Sequence, residues 1–201
     1  MDMKSNIIKA VLAAVIVLLA YLVYDSINQP IKFLKERKHR EAEVVQRLKD
    51  IRSVQAFFKN ANGKYTSSFD LLMLYIQQGE IPVVNVIPDP SDTTFTKTIN
   101  DTLGYVKVVD SLFKNHKNFK LSDLAIIPFS KGEKFEMASG EIDRGGVKVG
   151  VFEVKAPFKS YLVGLDEQRI LNLVASEEAI EKFPGLKVGS MTEPSTDGNW
   201  E

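Results

Sequence analysis

IIKAVLAAVIVLLAYLVYDSI, residues 7–27, decides how the rest of the chain must be read. Residues 10–24 run for fifteen positions without a charge or a strongly polar group. Twenty-one residues at 1.5 Å each make about 32 Å of helix, close to the thickness of a hydrocarbon core. Lys9 can extend toward the headgroups at one end, and Tyr21 and Tyr24 suit the interface at the other. A cleaved signal peptide needs small residues just behind its apolar run, and residues 21–27 offer no such site. A core helix apolar on every face for four turns does not suit so small a domain. The expectation is one membrane span at residues 7–27, behind a short flank at residues 1–6, with the lipid bilayer as a partner. Within it Ala10 and Ala14 place two small residues one turn apart, a face on which another helix could pack.

Outward from the span, residues 28–60 read as a charged stalk running into an amphipathic helix, with Pro30 predicted to break the helix first. KERKHREAE (35–43) has almost no apolar content and reads as solvated. Val44, Leu48, Ile51, Val54 or Gln55, and Phe58 then recur at spacings of three and four, one apolar stripe that must be covered. Its own domain's sheet or a coiled-coil partner would serve. NANG (60–63) supplies the stop, and SSFDLLMLYI (67–76) reads as an N-capped second helix ending near Gly79.

Residues 61–190 read as a soluble α+β domain and residues 191–201 as a polar, mobile tail, Trp200 excepted. Residues 81–87 are a short extended segment, kept from a sheet centre by Pro82, and 88–102 a loop. Strands are predicted at 103–109, 124–129, 134–142, 147–154 and 160–163. DRGG (143–146) is a strong hairpin turn, and the alternation behind it slips phase beside Gly150, as at a bulge. Residues 166–182 form an amphipathic helix, and 184–190 a loop. The fold expected is α+β, with the long helix laid on an antiparallel sheet of four or five strands.

Charge is divided along the chain. Residues 1–60 hold 11 Lys+Arg against 6 Asp+Glu, and residues 61–201 hold 15 against 20. A basic half near the span suits anionic lipid, and an acidic distal half argues against nucleic acid as a partner. The chain has no cysteine, which removes disulfides, thiolate nucleophiles and thiolate metal sites. For orientation, Lys4 and Lys9 precede the span, and Lys32, Lys35, Arg37, Lys38 and Arg40 follow it. That count favours a cytoplasmic C-terminal domain.

An apolar N-terminal helix running into an amphipathic one, then IRSVQAFFKNANGKY (51–65) and the Ser-led helix at 67–72, resembles type IV pilins and type II secretion pseudopilins. The resemblance covers residues 7–76 by pattern. It implies an antiparallel sheet on the distal half of the helix and an extracytoplasmic domain anchored in a bacterial inner membrane. It also implies a noncatalytic role in an envelope assembly of the secretion, pilus or motility type, through contacts with other envelope proteins or with itself. The chain departs from those families at their processing signature: no Gly precedes the span, and no Glu lies between Asp2 and Glu36.

Chemical motifs are sparse. His39 and His116 lie without carboxylates at zinc-site spacing. No Gly-x-Ser-x-Gly, dinucleotide fingerprint or P-loop occurs, so neither a catalytic set nor a cofactor is expected. Asp89, Asp92 and Asp101 lack the spacing of a calcium loop. Glu133, Glu136, Glu141 and Asp143 read as the wet face of the hairpin. A membrane-tethered module binding a small ligand or a cell-wall polymer, and an enzyme of unrecognised type, are the competing readings.

Overall fold

The computed structural model describes residues 2–88, 98–112 and 121–201. Helix α1 (Asp2–Asn62) is continuous over 61 residues, about 92 Å at 1.5 Å each. Pro30, predicted to break the helix, lies inside it. The proline forfeits a hydrogen bond to the Ser26 carbonyl, but Ser26 is exposed, so that carbonyl is not stranded in a dry interior. Gln29 Nε2 donates to Asp25 Oδ2 at 2.6 Å just before it. Phe33, buried in the domain core, fixes the turn just after it. The helix stops where expected: Gly63 has a φ of 75°, and its N–H donates to the Lys59 carbonyl at 2.7 Å. A left-handed residue thus satisfies a carbonyl the last turn would leave free.

Helix α2 (Phe69–Gln78) is capped by Ser68, whose hydroxyl accepts from the Leu71 N–H. Strands β1 (Glu80–Pro88) and β2 (Thr98–Lys107) follow as a separate antiparallel ribbon. Every strand of a two-stranded ribbon is an edge, which is why Pro82 is accommodated. Part of the expected 88–102 loop is therefore strand, while residues 89–97, with Asp89 and Asp92, lie outside the described residues. The ladder passes from Val83↔Gly104 to Val84↔Thr102, leaving Leu103 as the extra residue of a bulge. The strand predicted at 103–109 ends at Lys107, where α3 (Val108–Leu112) begins.

Strands β3 (Glu136–Arg144), β4 (Val147–Pro157) and β5 (Gly185–Gly189) make the main sheet, antiparallel in the order β3-β4-β5. The expected four or five strands are thus three, plus the separate ribbon. Gly145 and Gly146 close the predicted hairpin with φ of 64° and 85°, the paired positive values a type I′ turn requires. Asp143 Oδ1 accepts from the Gly146 N–H at 2.8 Å. The bulge expected at Gly150 is absent, since Glu141↔Gly150 and Gly140↔Val151 pair in unbroken register. Its phase slip has another cause. Val151, Phe152, Glu153 and Val154 are all buried, so this central strand has lost its alternation.

Three other predicted segments differ. Residues 124–129 are not a strand: a 3₁₀ turn (Leu121–Ala125) leads into one isolated bridge, Ile126↔Lys134. A short buried apolar run does not by itself distinguish strand from irregular core. Residues 160–163 fall in and after a short helix, α4 (Phe158–Tyr161). The supposed loop at 184–190 is β5, whose glycines lie so close to β4 that a Cβ on either would strike its backbone. Helix α5 (Glu167–Glu178) starts where the helix of 166–182 was expected, capped by Asp166 Oδ1 on the Arg169 N–H at 3.0 Å, but ends four residues short of Lys182, with Glu181 turned to a φ of 56°. The tail is pinned: Asn199 exchanges hydrogen bonds with the Lys187 backbone at 3.0 and 3.1 Å, and Trp200 packs on the core.

The core lies between the α1 stripe, α2 and the inner face of the main sheet. Val44, Leu48, Ile51 and Val54 meet Leu72, Ile76, Phe152, Val154 and Val188 there. Each such side chain contributes about 1.5–3 kcal/mol by leaving water.

Candidate functional site

Among the described residues one helix, the N-terminal part of α1, is long and apolar enough to cross a membrane. Its most apolar window is 0% buried, so it is not the core helix of this domain. Ala10 and Ala14 are exposed on it one turn apart. Small side chains at that spacing let a second helix approach closely.

The domain meets α1 almost at once beyond the apolar stretch. Pro30, Leu34, Asn172 and Leu173 line a groove of about 270 Å³, and the Arg169 guanidinium lies 6.0 Å from the Phe33 ring centre. On the neighbouring flank is an open cavity of about 750 Å³ between α1 and the segment before α5. Gln29, Lys32, Lys35 and Glu36 line one side of it, Leu165 and Asp166 the other. A turn further on, Arg40 Nη1 donates to the carbonyls of Tyr161 at 3.1 Å and Val163 at 2.9 Å. Arg37 lies 5.4 Å from the Phe158 ring. Residues 35–43, expected to be solvated, are therefore seated on the domain along one side.

Phe129 completes this clasp. It takes a φ of 62°, uncommon for a bulky residue, behind Pro128 in a turn closed by Ser130 N–H on the Ile127 carbonyl at 3.3 Å. Its ring lies 5.2 Å from the Arg40 guanidinium and 5.7 Å from His39. Contact with the cation offsets part of the backbone strain. A proline followed by an aromatic residue, where such a turn ordinarily takes glycine, is the sequence signal that would have found it.

The stripe residues Val44, Leu48 and Ile51 are fully buried against their own domain, and Phe58 is half-buried edge-on to Tyr75. They build the fold and leave no stripe for a coiled-coil partner. No family model, curated protein or solved structure matches the chain. What the molecule does must be argued from its own geometry.

Three titratable groups among the described residues are displaced, and burial alone raises the first, the Tyr75 hydroxyl. The Tyr161 hydroxyl is pushed far above its ordinary range, first by burial and then by the Glu41 carboxylate nearby. Burial alone would raise the Glu153 carboxyl, but Lys155 at 2.6 Å and Lys187 at 3.1 Å outweigh it and hold the group below the usual range. Among the described residues none of the three lies in a set of nucleophile, base and orienting group. Glu133, Glu136, Glu141 and Asp143 are all exposed. Among the described residues no three His, Asp or Glu side chains converge to hold a metal; His116 lies outside those residues. Apolar side chains do remain exposed on the ribbon: Val83, Leu103 and Tyr105 are each more than two-fifths accessible.

Proposed function

We propose that this protein is a noncatalytic, single-pass membrane-anchored component of a bacterial envelope assembly, acting through protein–protein contacts. One observation carries the reading. A single unbroken helix combines a wholly exposed apolar window with a segment that forms the core of an α+β domain. Water opposes such exposure by roughly 25 cal/mol per Å², and a bilayer removes the penalty. The likeness to pilins and pseudopilins is supported by the way the distal half of α1 lies on an antiparallel sheet. On that likeness the domain is read as extracytoplasmic. Ala10 and Ala14 supply a contact face within the membrane, and the apolar side chains of the β1–β2 ribbon supply one outside it.

The test is association in mild detergent. Wild-type protein is expected to elute as an oligomer or with a partner. Ala10→Ile combined with Ala14→Ile should weaken that association at least several-fold, leaving the domain's protease resistance unchanged, since neither residue touches the core. A wild-type monomer without companions under gentle extraction sinks this reading. The protein would then be better described as a membrane-tethered binding module, for which the open 750 Å³ cavity is the natural site.

A further inference from the structure

The open cavity between α1 and the segment before α5 is unevenly charged. Glu36 and Asp166 line it, but each is already committed. Glu36 accepts from Arg40 Nε at 3.0 Å. Asp166 accepts from the Arg169 N–H at 3.0 Å, with Arg169 Nε 3.4 Å away. Lys32 and Lys35 line the same cavity and are exposed, and among the described residues neither has a carboxylate partner. Two ammonium groups are thus left over in a cavity whose walls also include the apolar Phe33 and Leu165.

Because α1 is unbroken, the cavity also has a fixed bearing relative to the apolar stretch. Lys32 is eighteen residues past Ala14, five full turns, so both stand on one side of the helix. His39, about seven turns past Ala14, returns to that side and lines the same cavity. A helix packed on Ala10 and Ala14 would therefore reach the mouth of this cavity as it left the apolar stretch. At the shallow crossing of most membrane helix pairs, about 20°, the two would still be neighbours there. Lys32 is five residues past Ile27, about 8 Å, and Lys35 about 12 Å. Asp25, on the same side, lies about 10 Å below Lys32 and accepts from Gln29 Nε2 at 2.6 Å.

We propose that this cavity receives the acidic juxtamembrane segment of a second, different single-pass protein, whose carboxylates pair with Lys32 and Lys35. The inference rests on the assembly reading above and names the partner's chemistry. Charge selects the occupant. A parallel second copy of this chain, packed on the same face, would set Lys32 and Lys35 against their own counterparts, like charge against like. A carboxylate-bearing segment instead finds two free ammonium groups close together, with the cavity's own acids already satisfied. Asp25 adds register: it repels the partner's acids at its own height, and the lysines accept them about 10 Å further on.

A synthetic single-span peptide can stand for the partner. It carries Ala-x-x-x-Ala in its apolar stretch and two glutamates placed beyond the second alanine as Lys32 and Lys35 are beyond Ala14. A matched peptide carries two lysines there. The full chain, which has no cysteine of its own, is labelled through Gln168→Cys. Energy transfer to the labelled peptides is then titrated in phosphatidylcholine vesicles. The glutamate peptide should bind several-fold more tightly than the lysine peptide, and Lys32→Glu with Lys35→Glu should reverse that preference. Ala10→Ile with Ala14→Ile should weaken both peptides alike. Equal binding of the two peptides, binding of neither, or a preference unchanged in the double glutamate variant overturns this inference. The assembly reading would still stand or fall on its own detergent test. Stronger transfer between two labelled copies of the full chain than to either peptide would give the face to a second copy. A preference that vanishes when phosphatidylglycerol is mixed into the vesicles would give the lysines to lipid. Either result also overturns the proposal.

Discussion

Gln55 shows how a single polar residue on an apolar stripe can hold two elements together. Its amide nitrogen donates to the Thr66 carbonyl at 2.6 Å, and its amide oxygen accepts from the Thr66 N–H at 3.2 Å, all of it buried. The side chain thus imitates a strand partner for the chain just after α1 turns. Gln55→Leu keeps the volume but strands both Thr66 groups, and should cost about 2–4 kcal/mol in urea unfolding of the micelle-bound protein. A loss below a few tenths of that would show the clasp to be dispensable. Glu153 predicts a pH dependence. Its carboxyl is held low when folded, so the unfolded chain binds its proton first as pH falls. Its contribution is therefore complete above the unfolded value of about 4.3 and is lost as pH drops through the lower folded value. Glu153→Gln should flatten the acid limb of stability against pH, and an unchanged limb would count against the Lys155–Glu153–Lys187 arrangement. Of these residues the sequence disclosed Gln55 only as a position on the stripe. Thr66 is eleven residues away across a turn, and no periodicity points to it.

At the scale of elements, legibility followed how local the determining physics was. The Gly63 stop, the capped start of α2 at Ser68 and the Gly145–Gly146 turn each depend on a few adjacent residues, and each lies where the sequence put it. The hairpin offers a clean measurement. No atom lies within 4 Å of where a Cβ on Gly146 would sit, so its φ of 85° is the whole obstacle to substitution. Gly146→Val should therefore cost about 1–2 kcal/mol through backbone strain alone, read as a lowered thermal midpoint. A neutral result would mean that the turn relaxes to another type. Elements that depend on tertiary partners were misread. β5 begins and ends in glycine and reads as a loop, yet those glycines are what let it lie against β4. Pro30 reads as a break because the sequence does not reveal that Phe33, one turn later, is locked into a distant core.

For the whole molecule, the sequence made plain an apolar segment attached to an α+β domain, because hydrophobic runs and turn chemistry announce both. It did not reveal that the domain grips the helix immediately beyond that segment, since Arg40, Phe129 and Tyr161 are brought together only by the fold. Which side of the membrane the domain occupies is a prediction for the whole chain. Alkaline phosphatase fused after Glu201 should be active and a fluorescent protein fused there dark; the reverse pattern would put the domain in the cytoplasm, as the flanking charges favour. With residues 7–27 in a bilayer, as proposed above, the unbroken passage of α1 through Pro30 would make the molecule a lever with its pivot there. Gly63, 36 residues past Ile27, is about 54 Å from the end of the span, so tilting the helix by about 10° swings the distal end sideways by roughly 9 Å. Helices tilt to match their apolar length to the lipid around them. Changes in bilayer thickness would thus reach the distal hairpin as displacement, amplified by length alone.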